Sequence, residues 1–439
     1  MTRPGTIDDN RSCWPDEAPP YQAGPALARD LTADVAIIGG GLTGVSTAWH
    51  LLERFPKLHV VLLEAGALAN GASGRNGGQV LNGINGVEPR DGAAALRIYQ
   101  ATSAGIDIVE QLAARSSLDA GFVRSGCLEV STTALSAEDA RRRVQLANSW
   151  GIPLRWLAAG ATGVHGAHGA VLDPSAGCVN SASLVRGLRE VLGARGVEIY
   201  ENSPVSRIEE GASVALSVGT STTVRARSVV LATNAYTPSL GYFRLGILPL
   251  HSHVVATQPL AAERWTEMGW SGHEGFSDDL DRIAYGCRTP GGRLLFGGGG
   301  NAAYTYRMGG SPVLEEPCYG AYDAIEKRLH DYFPALGAGG AAITHRWSGP
   351  LAVTFDRVCT MGVGGAARNL YYALGYSGHG VALAALAGRV LADLYAGDHD
   401  PWRDLPFYQR RLPLIPPEPF RWVGYQIVTR ATGRSPRRR

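Results

Sequence analysis

The run ADVAIIGGGLTGVSTAWHLL, Ala33 to Leu52, constrains the fold of this chain more than any other feature. An apolar strand over Val35–Ile38 runs into Gly39, Gly41 and Gly44, which satisfy G-x-G-x-x-G, and then into a helix over about Thr43–Arg54. Each glycine has its own task. Gly39 permits the sharp exit from the strand, Gly41 lets the backbone approach a pyrophosphate, and Gly44 lets the helix lie close on the sheet. The helix N-terminus presents free N–H groups and a partial positive charge to an anion. A second strand, His59–Leu63, ends at Glu64, and 64 − 44 places that carboxylate 20 residues beyond the last glycine. An acid there accepts the ribose hydroxyls of an adenosine. The pattern predicts a βαβ unit on a buried parallel sheet.

Two more glycine-rich runs bear on which dinucleotide is bound. Ala72-Ser73-Gly74-Arg75-Asn76-Gly77-Gly78-Gln79 follows the ribose acid directly. A nicotinamide dinucleotide needs no such loop, whereas a flavin has a long ribityl–isoalloxazine arm to be cradled by small residues and backbone amides. Gly375-Tyr376-Ser377-Gly378-His379-Gly380 sits between a strand, Leu370–Leu374, and a helix, about Val381–Tyr395. It aims a second helix N-terminus at something anionic or electron-rich, as the N1–O2 edge of a flavin is. His379 either donates a hydrogen bond there or caps the helix. The expected cofactor is FAD. Its expected cradle is Gly39, Gly41, Gly44 and Glu64, then Ser73, Arg75, Asn76, Gly77, Gly78 and Gln79, and finally Gly378, His379 and Gly380.

The chain has 439 residues, which suggests about two domains of roughly 100–200 residues each. A net charge of +2 gives no field that would argue for nucleic acid or an acidic membrane. The first twenty residues lack the apolar region of a signal peptide, and no stretch approaches the ~18 apolar residues of a spanning helix. Six cysteines without a CxxC pair suggest neither a metal site nor a disulfide framework, and the expected compartment is the cytoplasm.

Along the chain, a helix is expected over about Arg90–Arg115 and a strand over Gly121–Val130. Ser136 is the expected cap of the next helix, with Asp139 three residues on. Another helix, about Val179–Arg195, turns Leu184, Leu188 and Val191 to one face. Apolar strand Ser228–Ala232, β-like segments over Leu248–Phe296, a helix over Glu316–Tyr332 and a strand near Ala341–Trp347 follow. A short amphipathic pattern over Phe420–Val428 precedes SPRRR and is expected to pack on the parent domain.

Together these runs resemble the D-amino-acid oxidase-like (DAO) family of FAD-dependent oxidoreductases, and within it the gamma-glutamylputrescine oxidoreductase-like branch. The resemblance rests on ADVAIIGGG, Glu64, GASGRNGGQ over Gly71–Gln79 and GYSGHG with the helix that follows. VVLATNAYT (Val229–Thr237), ILPL (Ile247–Leu250) and RWSG (Arg346–Gly349) add to it. It implies an α/β fold: a Rossmann-like FAD-binding domain built from discontinuous segments and an α+β substrate domain with a large antiparallel sheet. We expect the first over 31–95, 165–245 and 340–400 and the second over 96–164 and 246–339. An extended lead covers 1–30 and a tail covers 401–439.

The same resemblance implies oxidation of a C–N bond, with hydride passing from the carbon beside a neutral amine to flavin N5 and the imine then hydrolysing. It implies that Val205 presents backbone atoms to the adenine. Sarcosine oxidase-like members tether their flavin through a cysteine near the position of Gly349, so FAD is expected to be non-covalent here. Such members hold a substrate carboxylate with a lysine where this chain has Ala382, and activate oxygen with a lysine that aligns with Leu295. These departures point away from glycine or sarcosine, toward an extended amine, and leave oxygen or another compound as the electron acceptor.

On the substrate side, a neutral amine needs no obligatory base, only an apolar pocket, because burial disfavours the ammonium form. Tyr285, Trp347 and Tyr376 are the candidate aromatic walls, each alternatively a core residue. Tyr285, Trp347 and His379 are the catalytic candidates, and Arg288 is either an anchor for an anionic substrate tail or an exposed arginine. His251 and His253 share a strand face and read as structural or pocket-lining. The rival readings are a flavin monooxygenase, whose second motif carries a Gly-Asp pair absent from GYSGHG, and a flavin-bound protein without turnover.

Overall fold

Strand Leu31–Ile38 divides its side chains between two buried faces. Val35 and Ile37 enter one apolar core and Ala36 and Ile38 another. Its neighbour Val60–Leu63 repeats the division, with Val60 and Leu62 on the first side and Val61 and Leu63 on the second. Strands covered on both faces read as continuous apolar runs, and these two do. The computed structural model describes residues 10–270, 272, 275–298, 304–306, 308–309, 319–337 and 341–432.

The first sheet has eight strands. Its spatial order is Thr360–Gly364, Leu370–Leu374, Thr222–Leu231, Leu31–Ile38, Val60–Leu63 and Glu198–Tyr200, with Val214–Val218 pairing Thr222–Leu231 and Val205–Glu209 beyond it. Its central pairs are parallel. Among the described residues the second sheet has nine strands, built around the long Leu248–Pro259, and its pairs are antiparallel except Gly275–Asp278 with Cys127–Ser131. The chain enters the first sheet, crosses to the second, returns, crosses again and returns once more.

Two strands lie in the other sheet from the one their expected segment implies. Gly169–Asp173 falls within 165–245 yet pairs Cys127–Ser131, and Ile343–Val353 falls within 340–400 yet pairs Leu248–Pro259. Each is an edge of its segment, where a return crossing takes a few residues more than composition shows. Helix Gly92–Arg115 packs on helix Gly380–Tyr395 rather than on the second sheet alone. A side chain at Gly105 would sit 2.6 Å from the Ala382 carbonyl oxygen, and one at Gly388 2.2 Å from Ser46 Oγ, so glycine sets both helix separations.

Other expectations shift by small amounts. The cap of helix Ala134–Ser149 is Thr133, not Ser136. Ser136 is the N3 partner of a capping box, its N–H donating to the Thr133 hydroxyl at 3.1 Å. Strand Cys127–Ser131 begins later than Gly121. The helix expected from Glu316 is described from Tyr319, its first residues lying outside the described region.

The lead is not merely extended. Trp14 is 1% exposed, and a single helical turn over Trp14–Glu17 tucks it under the cofactor loop. The amphipathic pattern over Phe420–Val428 lies in helix Phe420–Thr432, but Phe420, Val423, Ile427 and Val428 are exposed, so the expected packing on the parent domain covers little of its apolar side; the terminal SPRRR lies outside the described residues. No helix among the described residues is long and apolar enough to cross a membrane.

Candidate functional site

The strand Leu31–Ile38 delivers Gly39 to the sheet's end at φ +110°, a conformation that excludes ordinary side chains. A side chain at Gly44 would lie 2.0 Å from the Gly39 carbonyl oxygen. Gly44 therefore acts on the packing of the turn and does not itself line the cavity. Gly41 precedes helix Leu42–Arg54, whose first N–H, that of Leu42, donates to Ser73 Oγ at 2.9 Å. Glu64 lies beside this turn. Its two oxygens accept the N–H groups of Gly40 at 2.7 Å and Gly66 at 2.9 Å. Burial pushes its carboxyl up, and those two N–H groups pull the other way.

The second loop is wired on both sides. Asn76 Nδ2 donates to the Ser73 carbonyl at 3.0 Å and Ser181 Oγ at 2.6 Å, and its Oδ1 accepts the Gly78 N–H at 2.8 Å. Gln79 Nε2 reaches the second sheet, donating to the carbonyls of Phe276 at 2.7 Å and Gly286 at 2.8 Å. Arg75 donates to the Ser348 and Asn10 carbonyls at 2.9 and 2.8 Å. Trp14 Nε1 donates to the Asn76 carbonyl at 3.0 Å. Gly78 has φ +74° and does not line the cavity, because Trp14 lies where its side chain would be.

The third run meets the first. Tyr376 Oη and Thr43 Oγ1 are 2.8 Å apart, joining the N-termini of helices Leu42–Arg54 and Gly380–Tyr395. Gly378 has φ +102°, and a side chain there would meet nothing within 4 Å. All three runs open on one cavity of about 1340 Å³, with Glu64, Val205, Gly349, His379 and Gly380 also in its wall.

That cavity continues along the second sheet past Leu248, Leu250, Ser252, Tyr285 and Leu351 to Tyr304 and to Tyr425 of the last helix. Tyr285 is held by a hydrogen bond of 2.9 Å between its Oη and Ser252 Oγ. Burial pushes the Tyr285 and Tyr376 phenols up, so both remain protonated around neutral pH.

Two expected substrate residues lie elsewhere. Trp347 is fully buried behind the cofactor loop, its Nε1 donating to the Arg75 carbonyl at 3.0 Å, and it does not line the cavity. Its pairing partner on Leu248–Pro259 is Val254, past the stretch that faces the cavity. Arg288 belongs to strand Tyr285–Arg288, whose alternation turns it away from the face of Tyr285. Its guanidinium lies 5.0 Å from the Trp265 ring centroid. Ala382 and Leu295 are also absent from the wall.

His251 and His253 are buried on the face opposite Leu250 and Ser252, and no metal-binding group of side chains occurs among the described residues. Sequence reasoning missed Arg282, Tyr304 and Tyr425. Arg282 stands three residues from Tyr285 in the same DRIAYGCR run, and that proximity was the available signal.

The family model described as "FAD dependent oxidoreductase" (DAO) matches residues 34–394. Gamma-glutamylputrescine oxidoreductase of Escherichia coli is 30% identical, covering 88% of this chain and 90% of that protein. Glycine oxidase of Geobacillus kaustophilus is 25% identical over 82% of this chain and 92% of its own length. The crystal structure of glycine oxidase from Geobacillus kaustophilus superimposes with a TM-score of 0.73 at 24% identity, covering 87% of this chain and 99% of that one, which establishes the shared α/β fold. With a family match spanning most of the chain and a glycine-turn cavity to receive the cofactor, the chain belongs to the FAD-dependent oxidoreductase (DAO) family and is an FAD-dependent oxidoreductase.

Proposed function

We propose that the protein oxidises the C–N bond of an extended amine in preference to glycine or sarcosine. The observation that carries this reading is the reach of the cavity, which passes from the Gly39–Gly41 turn beyond Tyr285 to Tyr425. Its volume of about 1340 Å³ exceeds the roughly 300–1,000 Å³ usual for small-ligand sites, as a site for both a dinucleotide and an extended substrate should. The names of the relatives, an amine oxidoreductase and an amino-acid oxidase, support the same class.

The residues present fit FAD. Gly39 and Gly41 would give a pyrophosphate access to the first helix N-terminus, and Glu64 would accept ribose hydroxyls. The loop from Ser73 to Gln79 would hold the ribityl arm, Val205 would present backbone atoms to the adenine, and the second helix N-terminus at Gly378–Gly380 would stabilise negative charge on the ring. Bound there, FAD supplies a two-electron acceptor for hydride from the carbon beside the amine nitrogen.

Leu248, Leu250, Leu351 and the Tyr285 ring keep water from that carbon and favour the uncharged amine. Tyr376 holds the N-terminus of the second helix against the first through Thr43, and His379 occupies the N-cap position without a side-chain cap bond. Electrons pass on to oxygen or another acceptor, and the compartment we assign is the cytoplasm.

Two outcomes follow. Acid or heat precipitation should release the yellow colour into the supernatant, because a glycine stands at position 349 and Cys287, the thiol bonded to the cofactor loop, donates to the Gly77 carbonyl at 3.0 Å. Colour retained in the pellet would show a covalent link. Under anaerobic mixing at equal concentration, extended amines should bleach the flavin at least about tenfold faster than glycine or sarcosine, since remote binding energy orients the reacting carbon. Equal rates would sink the preference for length.

A further inference from the structure

We propose that the last helix, Phe420–Thr432, docks on an anionic lipid surface through an apolar face that it turns outward. This holds whichever amine the protein oxidises.

The helix is mounted the opposite way to an ordinary surface helix. At 3.6 residues per turn, Phe420, Val423, Gly424, Ile427 and Ala431 share one face. All five are exposed, Phe420 at 70% and Ile427 at 62%. The other side carries Arg421, Trp422, Tyr425, Gln426 and Thr429, all partly buried. A surface helix usually turns its apolar stripe to the core and its polar residues to water.

Here polar and aromatic groups hold the inner side down. Tyr425 Oη donates to the Tyr304 carbonyl at 2.5 Å, and its ring centroid lies 5.4 Å from that of Tyr306. Arg421 donates to the carbonyls of Arg244 at 2.8 Å, Pro416 at 2.9 Å and Ile247 at 3.3 Å. These contacts fix which side faces out. Near the carbonyls that Arg421 grips, Leu414 and Leu245 are exposed at 74% and 41%. Exposed apolar surface gathered in this way marks an interaction site.

Charge selects the occupant. The whole chain carries only +2, but the stretch from Pro419 to Arg439 has six arginines and no acid. Arg430 is exposed at the edge of the apolar face, and Arg244 and Arg411 are exposed beside Leu245. Glu418, the nearest acid in sequence, is turned inward. One of its oxygens accepts the Trp422 N–H at 3.2 Å and the other is buried. An apolar strip edged with arginine fits the acyl boundary and phosphate layer of an anionic bilayer. A second copy of this chain on the same face would set arginine against arginine. The inner side of the helix supplies Tyr425 and Thr429 to the cavity wall, so docking sets that end of the cavity beside the lipid headgroups.

The test sediments the FAD-loaded protein with vesicles of phosphatidylcholine alone, or of phosphatidylcholine with about a quarter phosphatidylglycerol. At about 0.1 M salt the protein should partition onto the anionic vesicles at least about tenfold more strongly than onto the neutral ones, and about 0.5 M salt should weaken this severalfold by screening. Phe420→Ser with Ile427→Ser should lower partitioning onto anionic vesicles at least about tenfold. Both side chains already face water, so the flavin spectrum and thermal midpoint should stay as in the wild type. Ile427→Ser alone should lose part of the binding, and Arg430→Gln with Arg434→Gln should reduce both the binding and its salt dependence.

Partitioning no stronger onto anionic than onto neutral vesicles overturns the proposal without any variant. Full anionic binding in the double serine variant overturns it as well, since the basic residues alone would then account for the attraction. Absence of vesicle binding by the wild type, with a dimer in solution that the double serine variant dissociates, would give the face to a second copy instead.

Discussion

Glu201→Ala should cost the protein about 3–5 kcal/mol of stability, the range for removing one partner of a buried charged network. Glu201 is fully buried at the end of strand Glu198–Tyr200. Its carboxylate accepts the Tyr21 hydroxyl at 3.0 and 2.9 Å, the Gly24 N–H at 2.5 Å and the Leu68 N–H at 2.6 Å. Arg189 Nε lies 3.4 Å away. One side chain thus ties the N-terminal lead and the turn after Glu64 to the edge of the first sheet.

Alanine would leave two backbone donors, a phenol and a guanidinium facing a void. Even at ~2 °C per kcal/mol, the low end for larger domains, the midpoint of thermal unfolding should fall by about 6–10 °C. Tyr21→Phe removes a single partner and should cost about 1.5–3 kcal/mol, the usual net worth of a hydrogen bond to a charged group. Both are read by thermal denaturation of the apoprotein, with limited proteolysis reporting release of the first thirty residues. A midpoint for Glu201→Ala within a degree of wild type would show that the lead is held by other means.

That network was illegible in the sequence for a physical reason. Tyr21 and Glu201 are 180 residues apart, and Trp14 and Asn76 are 62 apart. Periodicity reports the face an element buries, not what covers a distant loop, so a proline-rich lead reads as extended chain although Trp14 is core. The glycine turn was legible because its requirements are local. Strand, turn, helix and Glu64 lie within one short stretch, and Gly44 answers to the Gly39 carbonyl inside that unit, although Gly39 itself is crowded by Ala232 and Gly41 by Ser73.

The substrate side fell between these cases. Tyr285 was found, whereas Trp347 and Arg288 were placed on the wrong surfaces. A strand turns alternate residues to opposite faces, and the face toward the ligand depends on where the strand starts. That start is set by pairing across the second sheet. Arg282, lying just before the strand, escapes its alternation and reaches the wall through a turn that no pattern announces.

Glu64→Ala should weaken FAD binding by about ten- to more than a hundredfold while the apoprotein stays folded. A charge-assisted hydrogen bond contributes roughly 1.5–3 kcal/mol, and each 1.4 kcal/mol is tenfold in affinity. In the proposed site the ribose hydroxyls share the carboxylate with the N–H groups of Gly40 and Gly66, each oxygen having a second lone pair to offer. Removing it therefore takes away the ribose acceptor and also frees the backbone on both sides of the pyrophosphate turn. The fold should survive, because Glu64 stands on the cavity wall, where water can replace it at both N–H groups. Glu64→Gln keeps the shape and one acceptor oxygen but not the charge, so its loss should fall between wild type and alanine. Titration of apoprotein with FAD, followed by flavin fluorescence, reads the dissociation constant, and circular dichroism reads the fold. An unchanged constant in Glu64→Ala would remove the ribose from this end of the cavity, whereas an unfolded apoprotein would make Glu64 a structural acid like Glu201.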